Sequence, residues 1–332
     1  MITIRAFDFP ISHAIAHAQG RAQSDDMPCV LAMIGGIAGP SFRPIGASMF
    51  VMQDGTCFGG LSSGCIDGDV VRHAAHVLKD SIPRKLRYGQ GSPFMDIQLP
   101  CGGSLDIFLV PIADIGQLQP VSDTITEQRA VTLTVDMDQG GVSVTPHSLD
   151  GQSVDGQSAR DQNTQEQTTQ LHIIPDVRFV VLGAGAEASA FAAMAVSAGY
   201  DTVLLSPDTG TLAAARRAIP NLSTLHITQA AIPDEIAIDA HTAVTLFFHS
   251  HDWEADILLS VLNSQAFYIG AQGSFRTATA RIEALRAKGV DEADLARLKG
   301  PIGLIRSTRD PRTLAVSVLA EVLSFENSQR QL

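Results

Sequence analysis

Two cysteines open the functional question. Cys65 stands in SSGCIDGDVV (62–71), a Gly/Ser turn immediately before a helix-like run. Cys101 stands in LPCGGS (99–104), between a proline and a glycine pair. A thiol in either setting is a small residue filling a bend, or a sulfur held out toward a soft partner: another protein, a metal, or a metal-bound cofactor. Cys65 falls at or near the N-terminus of the following helix, where backbone N–H groups and the helix dipole favour thiolate; Asp67 and Asp69 act in the opposite direction. Arg43, in GPSFRPIG, is a permanent cation whose planar fork suits a phosphate. Glycines crowd the stretch from Gly39 to Gly68, a density that implies backbone approaching a neighbouring strand or a ligand closely. Cys29 and Cys57 lie inside apolar runs and read as core residues.

A second set of residues lies in the other half of the chain. VVLGAGAEAS (180–189) places Gly183, Gly185 and Ala188 in the G-x-G-x-x-G/A pattern between a strand and a helix, the context of a Rossmann-type phosphate turn. Glu187 in the first helical turn would oppose a pyrophosphate if it faces one. After the next strand, where a nicotinamide-binding domain offers an acid to the ribose, the chain has LLSPD, with Ser206 at the strand end and Asp208 two residues on. His249 and His251 flank a serine after TAVTLFF, near a carboxyl end of the sheet, and read as polar lining because zinc requires three or four ligands. IGAQGSFRT (269–277) supplies another Gly-rich turn ending at Gly273, then Ser274 and Arg276 at a helix start, an arrangement suited to an anion.

The elements that must carry these residues follow from periodicity. Residues 29–36 and 47–53 read as strands, the second closing on Asp54-Gly55. DVVRHAAHVLKD (69–80) reads as a helix with Val70, Val71, Ala74, Ala75 and Leu78 on one face. Residues 103–111 form another strand, and 130–144 a hairpin around Gly140-Gly141. Residues 147–170, rich in Gln, Ser, Asp and Thr, cannot bury enough apolar surface to offset the entropy of ordering and read as a linker. Beyond it strand and helix alternate, the mark of a parallel sheet covered by helices. The expected architecture is α/β: an N-terminal α+β domain over 1–146, the polar linker 147–170, and a Rossmann-like domain over 171–332.

Composition bounds the function. The chain has 332 residues and a formal net charge of −12, which argues against a nucleic-acid binder or an anionic-membrane binder while leaving room for a local basic pocket. Residues 1–27 combine acids and histidines without a long apolar run, so neither a signal peptide nor a membrane span is expected. The four cysteines match no CxxC-based zinc pattern. A cytoplasmic protein with reduced thiols is the expectation.

The blocks FRPIGASM, SGCIDGDV, RYG, LPCGGSLDIF, GAG, YIGAQGSFRT, PIGL and AVSVLAEV together resemble the XdhC/CoxI family, in the same order over residues 30–111 and 177–323. Those proteins are accessory factors of molybdenum hydroxylases such as xanthine dehydrogenase. The resemblance implies a chaperone rather than a turnover enzyme. It would carry the molybdenum cofactor (molybdopterin) as cargo, support its sulfuration by a cysteine desulfurase, deliver it to an apo molybdenum hydroxylase, and form a homodimer. Carried over by position, the first-domain residues are Arg43, Pro44, Gly46, Gly64, Cys65, Asp67, Cys101, Gly102 and Gly103, with Cys65 and Cys101 in reach of the cofactor molybdenum. The second domain adds Gly183, Gly185, His251, Gly273, Ser274 and Arg276. The chain departs from the family pattern at Ser63, Asp67, Ala186 and Ser206. Two alternatives stand beside this reading: an NAD(P)-dependent oxidoreductase using the Rossmann half, and a paralogue that handles a nucleotide-bearing pterin cofactor.

Overall fold

The fold, taken from a computed structural model, is described over residues 10–21, 27–62, 64–93, 99, 102–138, 140–147, 168–249 and 253–330. Cys101, His251, Ser63 and most of the polar stretch 147–170 lie outside the described residues. The chain divides into two compact units, Met1–Pro175 and Asp176–Leu332.

The first unit contains α1 (Ile11–Arg21), β1 (Cys29–Ala38), β2 (Ser48–Met52), β3 (Cys57–Gly59), α2 (Asp67–Asp80), β4 (Arg84–Gly89), β5 (Ser104–Ile112), α3 (Gln119–Thr126), β6 (Val131–Asp136), β7 (Gly141–Pro146) and β8 (Thr168–Ile173). Five strands form an antiparallel sheet in the order β3-β2-β1-β5-β4. Its central strand β1 is buried on both faces, and the two-residue period splits its side chains between two cores. Cys29, Leu31 and Met33 pack with Ala14, Ile15 and Ala18 of α1 and with Val121 of α3. Val30, Ala32 and Ile34 pack with Val70, Ala74 and Val77 of α2. The buried face of α2 thus runs through Val77, whereas Ala75 is exposed; positions 70, 74 and 77 follow the 3.6-residue period, and 75 falls off it.

The smaller sheet has the order β7-β6-β8. The hairpin expected around Gly140-Gly141 is its β6–β7 pair. Residues 168–170, read from composition as linker, instead begin β8, which pairs with β6 and belongs to the first unit. The unit boundary accordingly falls after Pro175 rather than after residue 170. The polar letters of TTQLHI mislead because that strand exposes one face: its burial alternates until Ile173 closes it. Thr132 Oγ1 lies 2.6 Å from His147 Nε2 and 3.0 Å from His172 Nδ1, tying the three strands together.

The second unit contains β9 (Arg178–Gly183), α4 (Ala186–Ser197), β10 (Thr202–Ser206), α5 (Thr209–Ala218), β11 (Ser223–His226), β12 (Thr242–Phe247), α6 (Glu254–Leu262), β13 (Tyr268–Ala271), α7 (Phe275–Ala287), α8 (Glu292–Arg297), β14 (Leu298–Lys299) and α9 (Pro311–Arg330). All six strands are parallel, in the order β11-β10-β9-β12-β13-β14. This is the doubly wound order of the Rossmann fold, with its switch point between β9 and β12. Residues 178–183 and 242–247 read as near-continuous apolar runs because helices cover both faces. Phe191 and Ala195 of α4 and Val318 of α9 cover one side; Leu258 of α6 and Leu285 of α7 cover the other. The α/β class, the α+β first domain and the helix-covered parallel sheet stand as expected, and the first domain's sheet is antiparallel. No described helix is long and apolar enough to cross a membrane.

Candidate functional site

Antiparallel pairing collects the chemistry-bearing loops of the first unit. Register pairs Ala38 with Ser104, Gly89 with Ser104, Met33 with Ser48 and Met49 with Gly59. The exits of β1, β3 and β4 and the entries of β2 and β5 therefore share one end of the five-stranded sheet. Residues 39–47, 60–62, 64–66, 90–93, 99, 102 and 103 are the described parts of the loops that leave from that end. They carry Arg43, Cys65 and the chain around Cys101, residues far apart in sequence. Leu99 and Gly102, flanking Cys101, are described there and close a turn through Gly102 N–H donating to the Leu99 carbonyl at 2.9 Å.

The turn that presents Cys65 is held by a buried carboxylate. Asp67 is 1% exposed. Its Oδ1 accepts from the N–H groups of Leu61 (2.9 Å) and Ser62 (3.3 Å), and its Oδ2 from Gly64 N–H (2.9 Å) and the Ser62 hydroxyl. Ser62 Oγ in turn accepts from the N–H groups of Gly64 and Ile66. Four donors on one carboxylate fix the backbone from 61 to 66, and Cys65 is left exposed at its crest, just ahead of α2. Asp67 thus turns its carboxylate to the turn that carries Cys65. One turn further on, Asp69 accepts from the Tyr88 hydroxyl at 2.6 Å and pairs with Arg72, anchoring α2 to β4. Burial raises the Tyr88 phenol above its ordinary value, so it stays a donor.

Arg43 is half-buried. Burial pulls its guanidinium below the usual value, and the charge of Asp67 acts the other way. Arg43 and the Cys65 turn lie on loops that leave the same end of the sheet. The other two described thiols are different: Cys29 and Cys57 are buried, and burial pushes them up to about 12 and about 11. They are inert neutral core groups, as their apolar runs imply.

The glycines separate into two kinds. Gly46 is the third residue of a turn closed by Ala47 N–H donating to the Pro44 carbonyl, and its φ of +88° is the left-handed value a type II turn requires there. Gly103 is small because a Cβ would lie 2.4 Å from the Pro40 carbonyl oxygen. These positions serve backbone packing. Gly64 and Gly102 have room instead: a Cβ on either would meet nothing within 4 Å and both are exposed, while their φ of +99° and +73° is the left-handed region that favours glycine; in sequence they adjoin Cys65 and Cys101. Around them Phe42, Pro44 and Ile45 are exposed as well.

In the second unit the fingerprint glycines have internal reasons. A Cβ on Gly183 would lie 2.4 Å from the Phe247 carbonyl oxygen, where β9 meets β12. Gly185 caps α4, and its N–H donates to Thr211 Oγ1 at 2.8 Å. Thr211 is held by Asp208, which accepts from the Gly210 and Thr211 N–H groups and the Thr211 hydroxyl as the cap of α5. Those bonds hold the Asp208 carboxyl below its usual range. The acid that could meet a ribose is engaged locally. Glu187 does face the turn: its Oε2 lies 3.5 Å from the position of a Cβ on Gly185 and 3.3 Å from His249 Nε2. A pyrophosphate at α4 would meet a carboxylate there.

A cavity of about 670 Å³ opens nearby, between the start of α7 and loop 300–310. Gly273 and Ser274 line it; Arg276 is exposed and is not among its lining residues. Sequence reading passed over the other groups on its wall, Gln272, Phe275, Arg306 and Arg309. It also passed over the buried pair that braces it. Arg281 (6% exposed) donates through Nε and Nη2 to the Glu254 carboxylate (2% exposed), and through Nη2 to the Gln272 carbonyl at 2.7 Å. The one legible signal was RSTRD, two arginines in a loop after the Gly-Pro turn. Among the described residues no group of three metal-ligating side chains occurs.

Comparison with known proteins gives this geometry a relative. The family model "XdhC and CoxI family" matches residues 22–89, and the model "XdhC Rossmann domain" matches residues 179–322. The chain is 30% identical over 302 residues to the Escherichia coli (strain K12) molybdenum cofactor insertion chaperone PaoD, covering 91% of this chain and 85% of that one. It is 27% identical over 158 residues to the uncharacterized protein YqeB of the same organism, covering 46% of this chain and 28% of that protein. A crystal structure from Bacillus halodurans, described as a xanthine dehydrogenase, superposes with a TM-score of 0.75 at 22% identity over 95% of this chain and 96% of the other, which shows a shared fold. With a model matching in each unit and a relative aligned over nearly the whole length, the chain belongs to the XdhC and CoxI family.

Proposed function

We propose that the protein is an accessory chaperone that holds the molybdenum cofactor on the loops at the shared sheet end of the first unit, supports its sulfuration, and passes it to an apo molybdenum hydroxylase. One observation carries this reading: an exposed thiol, Cys65, stands on a turn held by the buried Asp67, and the loop with Arg43 leaves the same end of the sheet. A molybdenum–sulfur centre is soft, and a thiolate suits it as neighbour or ligand. Arg43 supplies the charge for a pterin phosphate. Gly64 and Gly102, exposed and without side chains, leave room for the cargo beside Cys65 and Cys101. That PaoD is a molybdenum cofactor insertion chaperone supports the same reading. A carrier must also release, so its affinity is set through dissociation rate. A cysteine desulfurase and the apo-hydroxylase are the partners this role requires, and a homodimer is the form we propose.

The test is co-purification from a cofactor-producing host, with the pterin quantified by its fluorescence after denaturation and oxidation. Wild type is expected to carry close to one pterin per chain. Cys65→Ala, Cys101→Ala and Arg43→Ala should each carry several-fold less while keeping their circular dichroism. Equal loading in all three variants would overturn the assignment of these loops.

A further inference from the structure

We propose that the cavity of the second unit binds a phosphate monoester carried on a flat heterocycle, at a place distinct from the Gly-x-Gly turn of α4. This goes beyond the thiol-based reading of the first unit and does not depend on it. The Gly-x-Gly turn is committed elsewhere: Gly185 N–H donates to Thr211, and Glu187 stands where a phosphate would sit. The cavity beside it shares Glu187 on its wall but also carries Arg306 and Arg309. At about 670 Å³ it lies within the size range of small-molecule pockets.

Its wall offers each group such a ligand needs. α7 spans 13 residues from Phe275. As the first two helical positions, Phe275 and Arg276 have N–H groups with no intrahelical acceptor, while Thr277 N–H is taken by the Ser274 cap. Arg306 and Arg309 line the same space, and neither makes an ion pair among the described residues. The two acids on the wall do have partners: Glu187 lies against His249, and Asp310 accepts from Arg312 through both oxygens. With Arg312 counted, three arginines stand against these two carboxylates, a local excess of positive charge within a chain of net charge −12. Gln272 adds a buried side-chain oxygen without a hydrogen-bond partner, on the same wall.

The flat part of the ligand is read from Phe275. Its ring is 67% exposed at the cavity, with the Arg306 guanidinium 5.9 Å from its centroid. An exposed aromatic face with a stacked guanidinium receives planar heterocycles. Leu304 and Ile305 extend the apolar rim. The walls are also preformed. Arg281 and Glu254 brace Gln272 from below. From α9, Glu321 accepts from Gly303 N–H and Ser317 from Ile305 N–H, both at 2.6 Å.

Two ligand sources share this chemistry, a nucleoside monophosphate and a pterin phosphate, and the experiment separates them. The intact protein is titrated calorimetrically with CMP, neopterin monophosphate, the two unphosphorylated parents and inorganic phosphate. At least one ester should bind saturably, its parent about tenfold or more weaker, and inorganic phosphate weaker still. Arg309→Glu should abolish binding, and Phe275→Ala should weaken it about tenfold through lost stacking. Both substituted side chains are exposed, so the variants are expected to fold; Arg306→Glu is the second charge test. The preferred ester identifies the source. Silence of both esters overturns the proposal, as does binding unchanged in Arg309→Glu and Arg306→Glu. Inorganic phosphate binding as tightly as the esters overturns the heterocycle half. Ester silence together with a changed oligomeric state in Phe275→Ala would make this rim a protein contact and also overturn the proposal.

Discussion

Replacing Asp67 by Asn tests whether Cys65 is held from behind. The carboxylate accepts from three N–H groups and one hydroxyl, at 1% exposure. Asparagine keeps one acceptor for the Leu61 and Ser62 N–H groups but turns an NH₂ toward Gly64 N–H and the Ser62 hydroxyl. The hydroxyl can rotate away, and Ser62 Oγ already takes part of the Gly64 bond. The loss is thus one to two charge-assisted bonds, and at about 1.5–3 kcal/mol each the expected destabilisation is roughly 2–4 kcal/mol. In a unit of this size that lowers the melting temperature of the first transition by about 5–12 °C. Asp67→Ala should cost more, because it leaves all four donors without the carboxylate. Differential scanning calorimetry gives the transition, and pterin fluorescence gives the cargo retained. Asp67→Asn is expected to lose both stability and cargo, and Asp67→Glu, which keeps the charge, to recover part of each. An unchanged melting temperature would refute the claim that Asp67 organises the turn. Lost cargo with unchanged stability would instead make Asp67 a direct contact of the ligand.

Two further outcomes follow from buried groups. Arg281→Met should destabilise the second unit by about 3–5 kcal/mol in denaturant unfolding, because Glu254 is left charged and buried; Arg281→Met with Glu254→Gln should recover much of it, and equal stability of the two would deny the pairing energy. Cys29 and Cys57, raised to about 12 and about 11, should stay silent to thiol reagents near pH 8 until the chain unfolds. Because their native values lie above the unfolded ones, their contribution is complete below about pH 9 and lost as pH rises toward 11–12, at up to about 1.4 kcal/mol per pH unit per thiol. Cys29→Ser with Cys57→Ser should flatten that alkaline limb.

What the sequence discloses depends on whether burial is one-sided or two-sided. VRFVVLG and TAVTLFF are buried on both faces, and their unbroken apolar letters made the parallel sheet legible. β8 exposes one face, so TTQLHI merged with the polar stretch before it. RKLRYG of β4 alternates so strongly that only Leu86 and Tyr88 are buried. At the candidate site, the motifs around Arg43, Gly64 and Cys65 were legible as local chemistry. Their assembly was not, because it depends on antiparallel register placing three loops at one end of a sheet. Asp67 shows the difference in kind: its type and position invite a ligand role, whereas its hydrogen bonds run back to residues 61–64. Arg281 and Glu254 lie 27 positions apart on different helices, and nothing local marks them as a pair.

The glycine fingerprint carries the same lesson in its sharpest form. Gly183 excludes a Cβ because Phe247 is there, and Ala188 is small because it is fully buried on the inner face of α4. Gly185 has a φ of +94°, which favours glycine, and its N–H donates to Thr211 at the start of α5, itself fixed by Asp208. Each small residue of the pattern thus has a packing or hydrogen-bonding reason that holds with no nucleotide. A spacing shared with dinucleotide-binding turns then reports the strand–turn–helix geometry of the fold and nothing about what the turn binds. The cations and open N–H groups suited to an anion lie instead at the end of β13, around Ser274, Arg306 and Arg309. Substitutions that spare the backbone can separate the two places. Thr211→Val should free the Gly185 N–H without creating nucleotide binding while Glu187 remains. Calorimetric titration with NAD⁺ checks this, and micromolar binding gained by Thr211→Val alone would show that one hydrogen bond, rather than the Glu187 charge, had closed the turn.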